Sequence, residues 1–457
     1  METIDFLPFE VSPAYLEWVR ETITQDNHGA VQESMAEANA VDILTVLYEL
    51  NTEESKYILK LLDKEKAADV IVEIEEEDQT DFLRNFAPAE LANFIDYLDS
   101  DDGADILNRL PIQTREEVID RMQNAERARH VKDLIRYEED RAGGLMAKEL
   151  IKVDINWTIL QCIEEIRRQA EKVDKLYSVY VVNDKGHLLG KVSLKRIIIS
   201  QDQTRIADIY DSEIISVPTF MEEEEIAEIM QKYDLEVVPV IDVLERLVGR
   251  ITIDDIIDVI TEMAEEERQL MAGISGDVEE RSDSVWQLSR ARLPWLIIGM
   301  LGGLLGARFI GIFEADIVLV PAMAFFIPLI TATGGNVGIQ SSSLVVQSLA
   351  TSSVFGDQLA KRLVKVLIVA LVNGLALGAL VLGFNLTLGE ELRLAGVVAI
   401  ALFSVVLLAS FMGTLTPLVL NRFGVNPALA SGPFITTAND LLGLAVYFSV
   451  AHLLYEF

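Results

Sequence analysis

The spacing of hydrophobic residues changes along the chain and divides it into three regions. From about residue 30 to 137, apolar residues recur at helical spacing in short segments that end at turn signals such as Ala87-Pro88. From 138 to 263, β-branched runs alternate with amphipathic segments, and beyond residue 293 apolar residues are nearly continuous. The pattern predicts a helical region, an α/β region and a membrane region.

The α/β region contains an internal duplication. The strand, turn and glycine-led second strand of residues 179–193 return at residues 238–252, an offset of 59 residues. Each half also contains an acidic amphipathic helix before these strands. The repeat therefore predicts two similar small domains. The helical region before it repeats only weakly, and we interpret it either as a stack of helical hairpins or as an ordinary helical domain.

The membrane region divides into five apolar segments, each able to span about 30 Å of hydrocarbon as a helix. They are residues 294–313, 317–350, 364–386, 394–420 and 428–454. An odd number of spans puts the two termini on opposite sides. Basic residues collect at the ends expected on one side, which indicates the cytoplasm. We expect a multi-pass protein of a plasma or inner membrane, with a cytoplasmic N-terminus and an external C-terminus.

The charge is distributed as unevenly as the hydrophobicity. The chain has 457 residues and a net charge of −35, yet residues 291–457 hold seven basic and seven acidic residues. The negative charge therefore falls on residues 1–290, which disfavours nucleic acid as a partner and favours cations. The only cysteine, Cys162, excludes an intramolecular disulfide and fits a reducing cytosol. The N-terminus lacks the basic and apolar regions of a cleaved signal peptide.

Asp440 is the one carboxylate away from the ends of the five apolar segments. Placing such a charge near the middle of a membrane costs about 2.5–3.5 kcal/mol on insertion scales, so we interpret Asp440 as a cation site. The alternative is a protonated or paired structural residue. Hydroxyl and amide groups precede it, including Thr436, Thr437 and Asn439.

The second apolar segment has too many helix breakers and polar residues for a lipid-facing helix. Its glycines are equally suited to tight helix packing and to lining a pore. For Asn336 and Gln340 we favour a polar interior. Histidine and cysteine are absent from these candidates, which leaves hard oxygen ligands and favours Mg²⁺. A single Asp440 supplies two carboxylates if two chains pair around a twofold axis.

These motifs resemble those of the MgtE family of magnesium transporters and channels. The likeness is carried by residues 139–146 before the repeats, by residues 334–341 and by residues 426–437 followed by Asp440. It extends over nearly the whole chain. The duplicated part by itself resembles a tandem pair of CBS domains, which are regulatory modules.

The resemblance implies a multidomain fold and no enzymatic activity. A cytoplasmic, all-α, superhelical N domain and α/β tandem CBS domains are joined by a connecting (plug) helix to an all-α transmembrane domain of five helices. The implied boundaries are an N-terminal extension at 1–29, the acidic N domain at 30–137, CBS domains at 138–203 and 204–263, the connecting helix at 264–292 and the transmembrane domain at 293–457.

The resemblance also implies a homodimer in the lipid bilayer, with the ion path between protomers. Asp440 matches the family's pore aspartate, and Thr436 and Gly432 lie one and two turns earlier on the same wall. Cytoplasmic Mg²⁺ binding to the acidic domains is implied to close the pore. The residues at or near the sensor stretch are Asp254, Asp255, Asp258, Glu262, Glu265 and Glu266. A solvated acidic helix face is the alternative for each of them.

Two positions depart from the family pattern, and one motif suggests a nucleotide. Ile339 and Val366 stand where relatives have polar residues, so a transporter of another divalent cation such as Co²⁺ is one alternative. Thr252 and Asp255 keep a [ST]-x-x-D element, which makes ATP a candidate ligand of the second CBS domain. A membrane-anchored CBS regulatory protein is the alternative from another class. An anion channel is disfavoured because the spans lack basic groups along the path.

Overall fold

The computed structural model describes residues 11–25, 28–36, 38–170, 178–274, 284–351, 356–430 and 432–455. The chain separates into two compact units, Met1–Thr261 and Glu262–Phe457. Each unit has its own buried core.

Ten short helices open the first unit. They are α1 (Pro13–Thr24), α2 (His28–Met35), α3 (Ala40–Tyr48), α4 (Thr52–Leu61), α5 (Lys64–Val72), α6 (Glu76–Leu83), α7 (Pro88–Ile95), α8 (Ser100–Asn108), α9 (Ile112–Arg121) and α10 (Ala125–Leu134). Helices this short are marginal in isolation and depend on packing of their apolar faces. From α3 onward each odd-numbered helix packs against the next odd-numbered one, and α8 packs on α10. The predicted superhelical stack is confirmed.

Two small sheets with the same topology follow. The first half contains β1 (Ile151–Asp154), α11 (Ile159–Ala170), β2 (Val179–Val182), β3 (Leu188–Val192) and α12 (Leu194–Ile199). The second contains β4 (Val217–Pro218), α13 (Glu223–Tyr233), β5 (Val237–Ile241), β6 (Leu247–Thr252) and α14 (Ile253–Ala272). In each sheet the first strand runs parallel to the second and the second antiparallel to the third. The predicted α/β pair is thus confirmed.

The second unit is helical. Its helices after α14 are α15 (Val285–Ile312), α16 (Glu314–Leu319), α17 (Ile327–Thr351), α18 (Gly356–Thr387), α19 (Leu392–Arg422) and α20 (Pro433–Tyr455). Among the described residues, five of these are long and apolar enough to cross a membrane, as the sequence predicts. Helix α19 packs against α17, α18 and α20 and contributes Val397, Ala401 and Val405 to the core. The Tyr447 hydroxyl on α20 donates to the Met323 carbonyl at 2.9 Å.

The structure differs from the predicted helix boundaries at two places. The second apolar segment is not one helix, because α16 is followed by a 3₁₀ turn at Pro321–Phe326 before α17 begins. Proline cannot continue a helix that precedes it, and Pro321 starts this turn. The predicted connecting helix is also interrupted. Helix α14 ends at Ala272, next to Gly273 with φ +79°, and residues 275–283 lie outside the described residues.

Candidate metal sites

The start of α20 is fixed by a glycine that no other residue fits. Gly432 has φ +61°, and a Cβ at this position would collide with the Met271 carbonyl at the end of α14. The Gly432 carbonyl accepts hydrogen bonds from the Thr436 amide at 3.1 Å and the Thr436 hydroxyl at 2.9 Å. Gly432 is therefore committed to initiating α20. Ser431, which belongs to the same sequence motif, lies outside the described residues.

Thr436 and Asp440 lie one turn apart on the face of α20 that meets α17. A Cβ on Gly335 of α17 would stand 3.1 Å from Thr436 Cγ2 and 3.6 Å from Asp440 Oδ1. Because Gly335 has no side chain, the two helices approach closely and the carboxylate stays half-buried beside α17. Three predicted site residues are thus spaced at four-residue intervals: Gly432 directly before α20, and Thr436 and Asp440 on its first turns.

Within the described part of the chain, the Asp440 carboxylate accepts no hydrogen bond and pairs with no basic side chain. An ionised carboxylate among apolar helices is costly unless it is paired or coordinates a cation. The sequence also allowed a structural role, in which Asp440 pairs with a polar group on a neighbouring helix. No such partner is found among the described residues. Within the described part of a single chain, the Asp440 carboxylate thus has oxygens available for a ligand.

The other polar residues predicted to line a pore separate into two groups. Asn336 and Gln340 are exposed, one turn apart on α17. Asn439 is only 1% exposed, lies against Gly338 of α17, and both its amide atoms lack a hydrogen-bond partner among the described residues. Thr437 packs inward against Gly302 of α15. In a single chain, Asn336 and Gln340 thus face outward, whereas Thr437 and Asn439 face inward.

Two contacts near this site were missed by sequence reasoning. A Cβ on Gly302 would lie 3.2 Å from Thr437 Cβ, so α15 can approach α20 only through a glycine. The hydroxyls of Ser341 on α17 and Ser410 on α19 are 3.1 Å apart and join those helices. The Gly302-Gly303 pair in the first span was the available signal for the first contact. An isolated serine such as Ser410 gives no comparable signal.

The predicted sensor residues on α14 are placed in two different ways. Asp254, Asp258, Glu262 and Glu266 recur every four residues and are all exposed, so they follow one side of the helix. Glu265 instead forms an ion pair with Arg268 at 2.5 Å, and this guanidinium lowers the pKa of Glu265. The exposure of these four residues is compatible both with a solvated acidic helix face and with a set of metal ligands.

Asp255 differs from the other acidic residues of α14 because it caps the helix. Its carboxylate accepts from the Thr252 amide at 3.0 Å and from the Thr252 hydroxyl at 2.7 Å. This is half of the reciprocal arrangement found in a capping box. Burial raises the pKa of Asp255 and Asp254 adds to the effect, whereas the hydrogen bonds from Thr252 oppose it.

An acidic cluster on α8 lies near Asp255 and was not identified from the sequence. Burial raises the pKa of Asp101 well above its usual range, with further contributions from the neighbouring charges of Asp102 and Asp255. Burial, followed by Asp255 and Asp99, likewise raises the pKa of Asp102 to about 8. Three carboxylates within four residues, from Asp99 to Asp102, were the signal that could have revealed it. These groups repel one another and would gain from a bound cation.

The acidic cluster is held in position by a hydrogen-bonded network beneath α8. Glu149 accepts from the Ser100 hydroxyl at 2.6 Å and the Ser100 amide at 3.1 Å. Although burial opposes ionisation of Glu149, hydrogen bonds from His130 and Ser100 keep its pKa at about 2. Arg250, whose side chain is 6% exposed, donates to the Glu149 carbonyl at 2.5 Å and pairs with Asp99 at 3.3 Å. This network joins α8 to the second CBS-like half.

The carboxylate oxygens of the acidic cluster suit a hard cation, but the carboxylates do not surround a single point. In the part of the chain that the structure describes, no three His, Cys, Asp or Glu side chains are grouped closely enough to hold one ion. Mg²⁺ commonly uses one or two carboxylates and keeps several waters. A pair of aspartates from this cluster would therefore suffice for Mg²⁺, whereas a dehydrated ion such as Zn²⁺ requires more protein ligands.

Comparison with known proteins agrees with this architecture. The family profile described as a divalent cation transporter matches residues 327–450, that of the MgtE intracellular N domain matches 38–140, and that of the CBS domain matches 142–201 and 206–262. The fold and these matches define a multi-pass membrane transporter with a pair of CBS domains.

Curated relatives identify the family. The chain is 34% identical to the magnesium transporter MgtE of Thermus thermophilus over 96% of this chain and 98% of the relative. It is 35% identical to that of Enterococcus faecalis over 72% of each chain. The chain belongs to the MgtE family, whose members are transporters and channels, so the prediction of a non-enzyme is confirmed.

Solved structures resemble the cytosolic part. One, described as the cytosolic domain of the Mg²⁺ channel MgtE in complex with ATP, is 34% identical and has a TM-score of 0.50, covering 53% of this chain and 99% of that one. Another, described as the soluble part of a magnesium transporter, is 29% identical with a TM-score of 0.50, covering 55% and 98%. The predicted family and fold class are confirmed.

Proposed function

We propose that this chain imports Mg²⁺ as a homodimer with the ion path between its two protomers. The observation that carries the proposal is the Asp440 carboxylate, half-buried beside Gly335 and without a basic partner in the described residues. Its relatives are named magnesium transporters. Oxygen ligands alone suit a hard ion that sheds its water reluctantly.

A second copy of the chain completes the proposed site. A twofold interface presents each residue twice, so two Asp440 carboxylates would face one hydrated ion. Asn336 and Gln340 are exposed on α17 of the single chain, where a second protomer can cover them. Burying polar groups against lipid is costly, which favours a protein or water environment for this face of α17. Thr436 and the Gly432 carbonyl precede Asp440 on the same helix.

The direction of transport follows from charge. An ion of charge +2 moving into a cell gains about 4.6 kcal/mol per 100 mV of inward-negative potential, so no nucleotide hydrolysis is needed. The N-terminal unit is cytoplasmic in this proposal, and the C-terminus is external. The residues that support this orientation are Arg290, Arg292, Lys361, Arg362, Lys365 and Arg422.

Cytoplasmic Mg²⁺ closes the path in this proposal. The mutually repelling carboxylates of Asp101, Asp102 and Asp255 are more stable with a bound cation, so Mg²⁺ favours the arrangement that brings them together. Asp255 lies in the first turn of α14, and near the end of that helix Leu270 packs with Ala428, ahead of α20. A change in α14 is thereby transmitted to the helix that carries Asp440.

ATP is a second regulatory ligand in this proposal, bound through Thr252 and Asp255. A cytosolic domain described as complexed with ATP resembles this one. The neighbouring aspartates Asp101 and Asp102 repel a triphosphate, so the Mg²⁺ complex of ATP should bind more tightly than free ATP. Titration of the purified protein with ATP, with and without Mg²⁺, measures this difference.

The decisive experiment is ion flux into liposomes that contain the purified protein under an inward-negative potential. Mg²⁺, Co²⁺, Mn²⁺ and Ca²⁺ are compared while Mg²⁺ on the side of the N-terminal unit is varied independently. We expect Mg²⁺ flux that falls as this Mg²⁺ rises. A preference for Co²⁺ would favour the divergent subgroup suggested by Ile339 and Val366. Absence of any divalent flux would favour a membrane-anchored regulatory protein.

A further inference from the structure

A cavity of about 570 Å³ in the first unit is lined mainly by basic side chains. Arg129, His130, Lys132 and Arg136 come from α10 and the turn after it, and Lys148 comes from the segment before β1. Small-molecule sites typically have volumes of about 300–1,000 Å³. The cavity is therefore large enough for a small ligand, and its chemistry is opposite to that of the acidic chain around it.

Helical geometry and the turn after α10 supply three of these charges. Arg129 and Lys132 are three residues apart on α10 and project in similar directions, and Arg136 follows in the turn and lines the same cavity. All three residues are exposed and, in the part of the chain that the structure describes, none pairs with a carboxylate. Arg129 donates only to the Ala125 carbonyl of its own helix, at 3.2 Å. Like charges held together without counterions destabilise this surface.

The acidic residues of the cavity do not neutralise it. Asp133 pairs with Lys148 at 2.8 Å, and the Lys148 side chain is only 11% exposed. This pair holds Lys148 at the wall of the cavity, where its ammonium also lies 5.9 Å from the centre of the Tyr137 ring. Glu126 is the other carboxylate in the lining. The lining therefore has two carboxylates, from Glu126 and Asp133, and four cationic groups, from Lys148, Arg129, Lys132 and Arg136. Positive charge remains in excess in the cavity.

We propose that this cavity binds a small, soluble, multivalent phosphate anion. Guanidinium groups match the geometry of phosphate oxygens and form short charge-assisted hydrogen bonds with them. Several cations converging on one concavity favour a compact polyanion over a single carboxylate. A nucleic acid is a poor occupant because the net charge of −35 repels a long phosphate backbone. The site is distinct from the proposed cation path and from Thr252 and Asp255.

The probe is inorganic pyrophosphate, measured by equilibrium dialysis against the purified full-length protein in Mg²⁺-free buffer. Salt at about 0.15 M screens non-specific attraction to exposed bases. We expect saturable binding of one pyrophosphate per chain. The double variant Lys132→Glu and Arg136→Glu should weaken it by at least about tenfold, because two charged contacts are lost. The matched control is Lys195→Glu with Arg205→Glu, which makes the same change in net charge at exposed positions outside the cavity.

Each outcome bears on the proposal. The proposal is supported if pyrophosphate binding is kept in the control double variant and lost in the cavity double variant. Equal weakening in both pairs, or no saturable binding, overturns it. Should the cavity pair fail to fold, as judged by circular dichroism, Lys132→Gln with Arg136→Gln replaces it. A short-chain phosphatidic acid that binds where pyrophosphate does not would assign the cavity to a lipid headgroup and refute the soluble anion. Ion flux has no part in this readout, so failure of the transport proposal leaves it intact.

Discussion

The two acidic sites of this protein present carboxylates under opposite conditions. In the second unit Asp440 is a single carboxylate among neutral helices, with no partner in the described residues. In the first unit Asp101 is buried, Asp102 and Asp255 are half-buried, and the three carboxylates repel one another. A cation relieves both situations. In the proposed function the lone carboxylate is completed by a second chain, whereas the residues of the cluster come from one chain.

In the proposed function this difference separates the permeation site from the sensing site. A site with few ligands holds a hydrated ion weakly enough for it to leave, which conduction requires. A site with several repelling ligands changes its protonation and its stability when an ion binds, which suits a regulatory switch. Four variants test this contrast, in order of decreasing expected effect.

Replacing the lone carboxylate should have the largest effect. Asp440→Asn removes the charge and keeps the shape of the side chain. We expect Mg²⁺ flux to fall by more than about a hundredfold, because an ion that enters the path from water no longer meets a charged ligand. Flux into liposomes measures it. Glu390→Gln, an exposed carboxylate in the turn before α19, is the control and should transport normally. Normal transport by Asp440→Asn would refute the assignment of Asp440.

Breaking the buried pair beneath the acidic cluster should strongly destabilise the first unit. Arg250→Ala removes the buried guanidinium that donates to the Glu149 carbonyl and pairs with Asp99, at a cost of about 3–5 kcal/mol. Chemical denaturation followed by circular dichroism measures the loss. Arg246→Ala breaks an ion pair to Asp242 with a half-exposed guanidinium, and should cost less than about 1 kcal/mol. Similar losses in both variants would contradict a special role for Arg250.

Filling the helix contact beside the pore candidate should have an intermediate effect. A Cβ at Gly338 collides with the Asn439 amide, so Gly338→Ala should destabilise the second unit by about 1–3 kcal/mol. Gly383→Ala in α18 meets nothing within 4 Å and should change stability by less than about 1 kcal/mol. Thermal unfolding in detergent compares the two. An unchanged stability of Gly338→Ala would mean that α17 and α20 are further apart than described.

The smallest effect concerns the pH dependence of the acidic cluster. The folded pKa values of Asp101, Asp102 and Asp255 are raised, so the stability they contribute is present below their unfolded pKa of about 4 and is lost as the pH rises towards 8. Without Mg²⁺, Asp102→Asn should therefore stabilise the protein by about 1 kcal/mol at pH 8 and have no effect at pH 4.

Mg²⁺ should stabilise the parent protein more at pH 8 than at pH 5, because ionised carboxylates bind it. Thermal unfolding at several pH values tests both statements. Asp120→Asn on the exposed side of α9 is the control, with an expected change within about 0.5 kcal/mol at every pH. A stabilisation of Asp102→Asn that does not depend on pH would show that charge repulsion is not its cause.

Features with strong periodicity were predictable from the sequence alone. Five apolar segments and the duplicated strands identified the membrane unit and the CBS pair, and the lone Asp440 gave a candidate site residue, because hydrophobic spacing and membrane insertion depend on local composition. The spacing of Gly432, Thr436 and Asp440 on one helix also followed once α20 was expected to be helical. The end of α14 at Gly273 was not foreseen, since an isolated glycine is tolerated within many helices.

Contacts between distant segments were decided only by the tertiary structure. The approach of Asp255 to Asp101 and Asp102, the buried Arg250 that joins Asp99 to Glu149, and the inward direction of Asn439 all depend on how separate helices and strands pack. The basic cavity likewise required Lys148 to meet the side chains of α10. Sequence determined which residues carry charge and which are apolar. Packing determined which charges meet, because burial and distance set their interaction energies.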